Sequence, residues 1–254
     1  MGTRDRRERE RNAREQEFLD TARRQICEQG LLALRMATVA RACDYATGTL
    51  YQHFASKEDL LLALCAEQAV QRVEILRRAG TWEAGSRDRM FALVIGDMLF
   101  AQSSPDHFRL TQYVFTEVVW GAASEERRQA VLDAHVPIAA LVSGIVEDAV
   151  RSGDLDSRGR GPLELAIGQW TMTIGMHNLV HASGVLEFFH LHKPYPLLLR
   201  HVQVHLNGLG WKPLMDPFDD EQLQGHLDHV CATLYPDLER ADTEPNDDRG
   251  MTSP

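Results

Sequence analysis

The chain has 254 residues, 44% of them hydrophobic, with four cysteines and a net charge of −10, which is enough apolar material for a buried core. Its apolar runs are short and broken by charges or histidine, so no membrane span is expected, and the scattered Cys27, Cys43, Cys65 and Cys231 form no CxxC pair, which argues against a zinc knuckle or disulfide framework. The acidic balance speaks against nucleic acid only globally: residues 1–57 carry 11 Lys/Arg against 8 Asp/Glu, and residues 58–254 carry 16 against 29, so a mildly basic head precedes an acidic body.

In chain order, residues 1–11 read as a charged, disordered arm. They lack the apolar stretch of a signal peptide, so a cytoplasmic location is expected. A helix follows over 12–29, with Phe18, Ala22 and Ile26 on one face and Gly30 as its C-terminal cap. Met36, Val39, Ala40 and Cys43 have the spacing of a buried stripe on a second helix, 35–43. A tight turn at Asp44-Tyr45 leads to a short third helix over 47–53. Ser56 to Asp59 reads as a capping box, Ser56 capping and Asp59 reaching back, that opens a long helix to about Arg78. Further helices are predicted near 87–103, 106–120, 124–152 (kinked or split at Pro137), 163–182, 185–191, 196–210 and 219–234. The polar tail reads as disordered.

Two short helices joined by a tight turn behind a supporting helix form a helix-turn-helix, whose second helix enters the major groove. In that helix Leu50 and Phe54 are anchors. Thr47, Thr49, Tyr51, Gln52 and His53 are left to face outward, where they can meet phosphates or base edges. Gly48 lets the backbone approach closely. Lys57 stands at the start of a helix, where charge and free N–H groups favour a phosphate.

The string Gly48-Thr49-Leu50-Tyr51-Gln52-His53-Phe54, followed by Ser56-Lys57-Glu58-Asp59-Leu60, with Gly30 and the Val39-Ala40 pair, resembles the TetR family of transcriptional regulators over about residues 18–64. The resemblance implies DNA contacts at Thr47, Gly48, Thr49, Tyr51, His53 and Lys57, with Tyr51 and Lys57 on phosphates. Three positions depart from the family pattern. Asp44 replaces the turn glycine, and Asp tolerates the left-handed conformation. Ala46 replaces a capping serine, leaving Thr47 or Asp44 to cap. Leu34-Arg35 replaces a Thr/Ser pair, making Arg35 an additional candidate for DNA contact.

The expected fold is therefore all-α: a charged arm (1–11), an N-terminal three-helix helix-turn-helix DNA-binding domain (12–60), a helical effector-binding and dimerisation domain (61–236) and a disordered tail (237–254). The resemblance places the segments 163–182 and 196–210 where the family builds a four-helix dimer interface. Gly168 and Gly175 either permit close helix contact there or are simply tolerated. An apolar effector site draws its candidate walls from Phe91, Phe100, Tyr113, Phe115, Trp120, Trp170, Met172 and Met176, each of which, taken singly, fits a core better. The pairs His177/His181, His201/His205, His226/His229 and His190/His192 suit interface or surface positions better than a metal site, and Cys27 and Cys43 read as structural thiols before a redox switch. No nucleophile elbow, HExxH, P-loop or GxGxxG is present, so no enzyme and no cofactor is expected. The expected function is a dimeric repressor of palindromic double-stranded operator DNA, released by a small, largely apolar effector. A metal- or redox-sensing regulator of the same fold is the alternative.

Overall fold

A computed structural model describes residues 3–238, with side chains from Asp5 onward. Among these residues there are helices, turns and loops and no strand. The chain divides into two compact units, one reaching to Gln71 and including Pro105–Val136, the other made of Arg72–Ser104 and the chain from Pro137 on.

The first unit opens on α1 (Thr3–Gln29). Residues 5–11, expected as a disordered arm, continue this helix; their charges form helical pairs such as Arg6–Glu10 at 2.7 Å. Gly30 ends α1 as anticipated, at φ 84° and with its N–H on the Ile26 carbonyl at 2.8 Å. A 3-10 turn, Leu31–Ala33, precedes α2 (Met36–Ala42), α3 (Thr47–Tyr51) and the start of α4 (Lys57–Thr81). Phe18, Ala22, Ile26, Met36, Val39, Ala40, Leu50 and Phe54 are all buried in one cluster, so the stripes read from spacing are the true core faces.

The capping box is half formed. The Ser56 hydroxyl accepts from the Asp59 N–H at 3.0 Å, but the Asp59 carboxylate accepts from the Ser124 N–H at 2.7 Å instead of turning back. That contact ties α4 to the entry of α8 (Glu125–Ser152). The stretch 106–120, expected as one helix, is two: α6 (Pro105–Val114) and α7 (Glu117–Ala122). The Thr116 hydroxyl takes the Tyr113 carbonyl at 2.7 Å, satisfying a helix end and permitting a break there. Leu110, Val114, Val119, Ala123 and Val131 complete the core of this unit.

In the second unit α5 (Ser86–Ser103) is buried on nearly every side, as a helix without an apolar stripe must be. Around it lie α9 (Pro162–His181), α11 (Pro194–Gly208) and α12 (Asp220–Leu234), with the short α10 (Val185–Phe188) after α9. Arg72 from α4 makes a two-point bond to Asp97 of α5, 2.6 and 2.9 Å. Arg87, in the first turn of α5, is fully buried and donates to the Gln203 and Asn207 side-chain oxygens at 2.6 and 2.9 Å and to the Trp211 carbonyl. Burial, opposed by the neighbouring Asp88 carboxylate, lowers its pKa to about 10. Helix α12 is capped by Asp219, which accepts from the Gln222 N–H at 2.9 Å.

Tyr235, just beyond α12, is buried against α5 and donates to the Ala92 carbonyl at 3.0 Å. A methyl group at Gly96 would stand 2.5 Å from the Tyr235 hydroxyl oxygen and 2.9 Å from Cζ. Gly96→Ala gains about 1 kcal/mol of helix propensity but must displace a buried ring and its hydrogen bond, at about 1–3 kcal/mol. We expect a net fall of the thermal midpoint, larger than in a Tyr235→Ala background, where the clash is absent; a melting curve at or above wild type refutes this packing.

One expectation about α8 is corrected. The helix runs through Pro137 without the anticipated split; Asp133 and Pro137 are exposed, so the carbonyl that loses its partner can bond water. By length and composition α8 is also long and apolar enough to cross a membrane, with a window of mean hydropathy 1.5. Its Val131 belongs to the first core, and its Ile145, Val146 and Ala149 to the second. At the other end of the chain, Asp237 of the expected tail is ion-paired with Arg78; the tail beyond residue 238 lies outside the described residues.

Candidate nucleic-acid interface

The turn between α2 and α3 is made by Asp44, at φ 58°, in the left-handed conformation that the missing glycine would otherwise supply. The following Tyr45 N–H returns to the Ala40 carbonyl at 3.0 Å. Neither Thr47 nor Asp44 caps α3: Ala46 occupies the N-cap in extended conformation, without a side-chain bond. The first N–H groups of α3 are thus left without side-chain acceptors, a favourable setting for phosphate oxygens.

Leu50 and Phe54 fix α3 to the core, both with no exposed surface. That orientation leaves Gly48, Tyr51 and Gln52 exposed and Thr47 and Thr49 part-exposed. Tyr51 keeps 50% of its surface, unusual for an aromatic residue with an adjacent core. Nothing lies within 4 Å of a Cβ placed on Gly48, so a partner can reach the backbone there. Lys57, the first residue of α4, and Arg35, the N-cap of α2, are part-exposed and exposed on the same unit, with Arg41 exposed nearby in sequence.

His53 is a correction. It does not face outward; only 8% of it is exposed. Its ring meets Phe18 edge-on at 5.5 Å, and its Nδ1 lies 3.4 Å from a Glu15 carboxylate oxygen. It points inward because it lies one turn beyond the buried Leu50 on the same side, its own N–H and that of Phe54 both on the Leu50 carbonyl at 3.0 Å. Sequence reasoning also missed the partner of this region, Arg127, more than seventy residues away, whose guanidinium reaches Glu15 and the His53 carbonyl.

The residues proposed as effector walls are divided between the two units. Tyr113, Phe115 and Trp120 belong to the first unit, where Phe115 stacks on Trp120 at 5.2 Å. Phe91, Phe100, Trp170, Met172 and Met176 belong to the second, Phe91 fully buried and Trp170 51% exposed. Two clefts in the second unit are lined by none of them. One, of about 760 Å³, lies among Trp82, Asp88, Met215, His226 and His229; the other, of about 520 Å³, lies among Arg77, Arg89, Leu141 and Arg151.

The glycine and histidine questions resolve in the same way. A Cβ on Gly168 would stand 2.5 Å from the His205 ring, so Gly168 serves packing of α11 on α9 within one chain, while Gly175 faces open space. Burial lowers the pKa of His205 and of His226, which sits 3.4 Å from Asp88. Among the described residues no group of three or more His, Cys, Asp or Glu side chains is gathered as for a metal ion. Cys27 is exposed; Cys43 is buried 3.2 Å from the Thr21 hydroxyl, and burial raises its pKa, which keeps it a thiol.

An exposed, polar short helix held behind a left-handed turn, joined to an all-helical second unit, defines a helix-turn-helix DNA-binding protein. Residues 18–64 match the bacterial regulatory proteins, tetR family. The chain is 26% identical over 181 residues to the fatty acid metabolism regulator protein of Bacillus subtilis, covering 67% of this chain and 91% of that one. In fold it is similar to a regulatory protein of the tetR family from Rhodococcus RHA1 (TM-score 0.57, 18% identity, 78% and 97% of the two chains). It is similar too to FadR from Bacillus subtilis, solved with stearoyl-CoA (TM-score 0.51, 20% identity, 76% and 96%). Residues 18–64 thus carry the DNA-binding segment of the TetR family of transcriptional regulators.

Proposed function

We propose that the chain binds palindromic double-stranded operator DNA as a homodimer and represses transcription until a small, largely apolar effector occupies the second unit. The observation that carries the DNA reading is the face of α3: Thr47, Gly48, Thr49 and Tyr51 turned outward by the burial of Leu50 and Phe54. Tyr51, Lys57 and Arg35 supply phosphate contacts in this reading, and Thr47 and Thr49 read bases.

The dimer rests on α9 and α11. Their outward sides carry Leu163, Ile167, Trp170 and Val204, each 43% exposed or more, and a second copy is the natural cover for such paired stripes. Trp170 fits that role better than a pocket wall. Duplexes selected by the protein from a randomised pool should share a palindrome with half-site centres about one helical turn, roughly 34–36 Å, apart. Sedimentation equilibrium should show twice the 28.7 kDa chain mass. A selected single half-site and a monomer at micromolar concentration would overturn the dimer.

The effector reading rests on the apolar character of the second unit and on the relative named for fatty acid metabolism, which makes a long-chain acyl-CoA the first ligand to titrate. An inducer that weakens DNA binding a hundredfold requires a coupling of roughly 2.7 kcal/mol, and operator DNA must weaken its binding by the same factor. Calorimetric titration of stearoyl-CoA with and without the selected duplex checks this. Tight binding with equal affinities in the two titrations rules out induction by this ligand.

A further inference from the structure

The end of the helix-turn-helix is held by a side chain from far along the chain. Arg127 stands in the opening turn of α8, where its own N–H is capped by the Ser124 hydroxyl at 3.3 Å. From one guanidinium nitrogen, Nη2, it donates to the Glu15 carboxylate at 2.8 Å and to the His53 carbonyl at 3.1 Å, and its Cζ lies 4.9 Å above the centre of the Phe54 ring. The other Glu15 oxygen faces His53 Nδ1 at 3.4 Å. The same turn of α8 offers the Ser124 N–H to the buried Asp59 of α4.

We propose that Arg127 is a positioning residue for the recognition helix: it latches the C-terminal end of α3 and so sets how Thr47, Thr49 and Tyr51 are presented to DNA. Three physical facts favour this role. Helix α3 is only five residues long, and so short a helix has no stability of its own. The end of a helix leaves carbonyls without intrahelical partners and carries partial negative charge, and Arg127 brings a cation to the carbonyl that follows this one. The guanidinium is 19% exposed and already paired with Glu15, so it is committed to the latch and not offered to a phosphate. Because Arg127 stands in the first turn of α8, a change in that turn is a change in the seat of the recognition helix.

Phosphate contacts tolerate a small displacement of α3, since their partners are mobile side chains on a regular backbone; base contacts do not. The inference rests on the DNA reading above, and its test separates the two. The wild-type chain first selects its duplex from a randomised pool; Arg127→Gln and Glu15→Gln are then titrated against that duplex and a scrambled one. Affinity for the selected duplex is expected to fall about tenfold, roughly the discrimination of one base contact. Affinity for scrambled DNA should change less than twofold, with the slope of log K against log salt unaltered. Amide exchange of residues 50–54 should quicken, and Arg127→Lys should restore part of the loss. Equal losses on both duplexes with a shallower salt slope would make Arg127 a phosphate contact and overturn the latch. Wild-type discrimination in both Gln variants would overturn it too, whereas failure of the wild-type chain to select any duplex would remove the DNA reading as well.

Discussion

Replacing Tyr51 and Lys57 together with alanine is expected to weaken binding to every duplex, selected or scrambled, by at least a hundredfold at physiological salt. Tyr51 is the half-exposed aromatic on α3, and Lys57 begins α4 beside the Ser56 cap. Neither is part of a core cluster, so their loss leaves the fold intact. Hydrogen bonds to charged groups contribute about 1.5–3 kcal/mol each, and a dimer presents each residue twice. Losing two lysine–phosphate contacts should also flatten the salt dependence, the log–log slope becoming less negative by about 1.8. Thr47→Val is the contrast: a neutral contact to a base edge is lost, so the slope stays and preference relaxes at one position of each half-site. Gel-shift titrations over a salt series measure both quantities. Wild-type affinity in the double variant would move the DNA contacts away from α3 and α4.

Acid should destabilise the second unit through His177. This side chain is fully buried on α9 with Tyr195 beside it, ring centroids 5.6 Å apart. Burial is the main cause that holds its pKa down to about 4, opposed by the Asp97 carboxylate. In the unfolded chain it titrates near about 6.5. Between these values the unfolded state holds a proton that the folded state refuses, so stability is fully present above about pH 6.5 and is lost as pH falls toward 4, by up to roughly 3 kcal/mol for this group. Burial lowers the pKa of His205 and His226 of the same unit as well, which adds loss of the same sign. Urea unfolding at pH 7.5 and pH 5.0 should show a decrease that His177→Gln reduces by roughly 2 kcal/mol. Identical decreases in the two proteins would show that His177 does not carry the acid sensitivity.

The recognition segment was legible because its signals are local. A helix-period stripe marks which side of α1 and α2 is buried, and Leu50 and Phe54 are four residues apart on one face. Asp44 adopts the left-handed conformation, which its small polar side chain tolerates better than most, and Gly30 ends α1 by its positive φ. Each of these follows from a few adjacent residues and the geometry of a single helix, so an isolated sequence suffices to state them. The family resemblance drew on the same short string and on little else.

What failed to be legible depended on residues distant in the chain. His53 lies within the recognition string, yet Glu15 and Phe18 of α1 draw it inward. Asp59 has the position of a capping residue, yet the Ser124 N–H, 65 residues on, takes its carboxylate. Phe115 and Phe91 look alike as candidate walls, but one is exposed in the first unit and the other sealed in the second. Local pattern determined the all-helical class, the helix-turn-helix and its outward face, because backbone hydrogen bonding and helix periodicity act over three or four residues. Only the tertiary structure decided the latch on α3, the union of 105–136 with the N-terminal helices and the docking of Tyr235 at Gly96. Those contacts close long loops, and nothing in a residue's neighbours along the chain records which distant group will satisfy it.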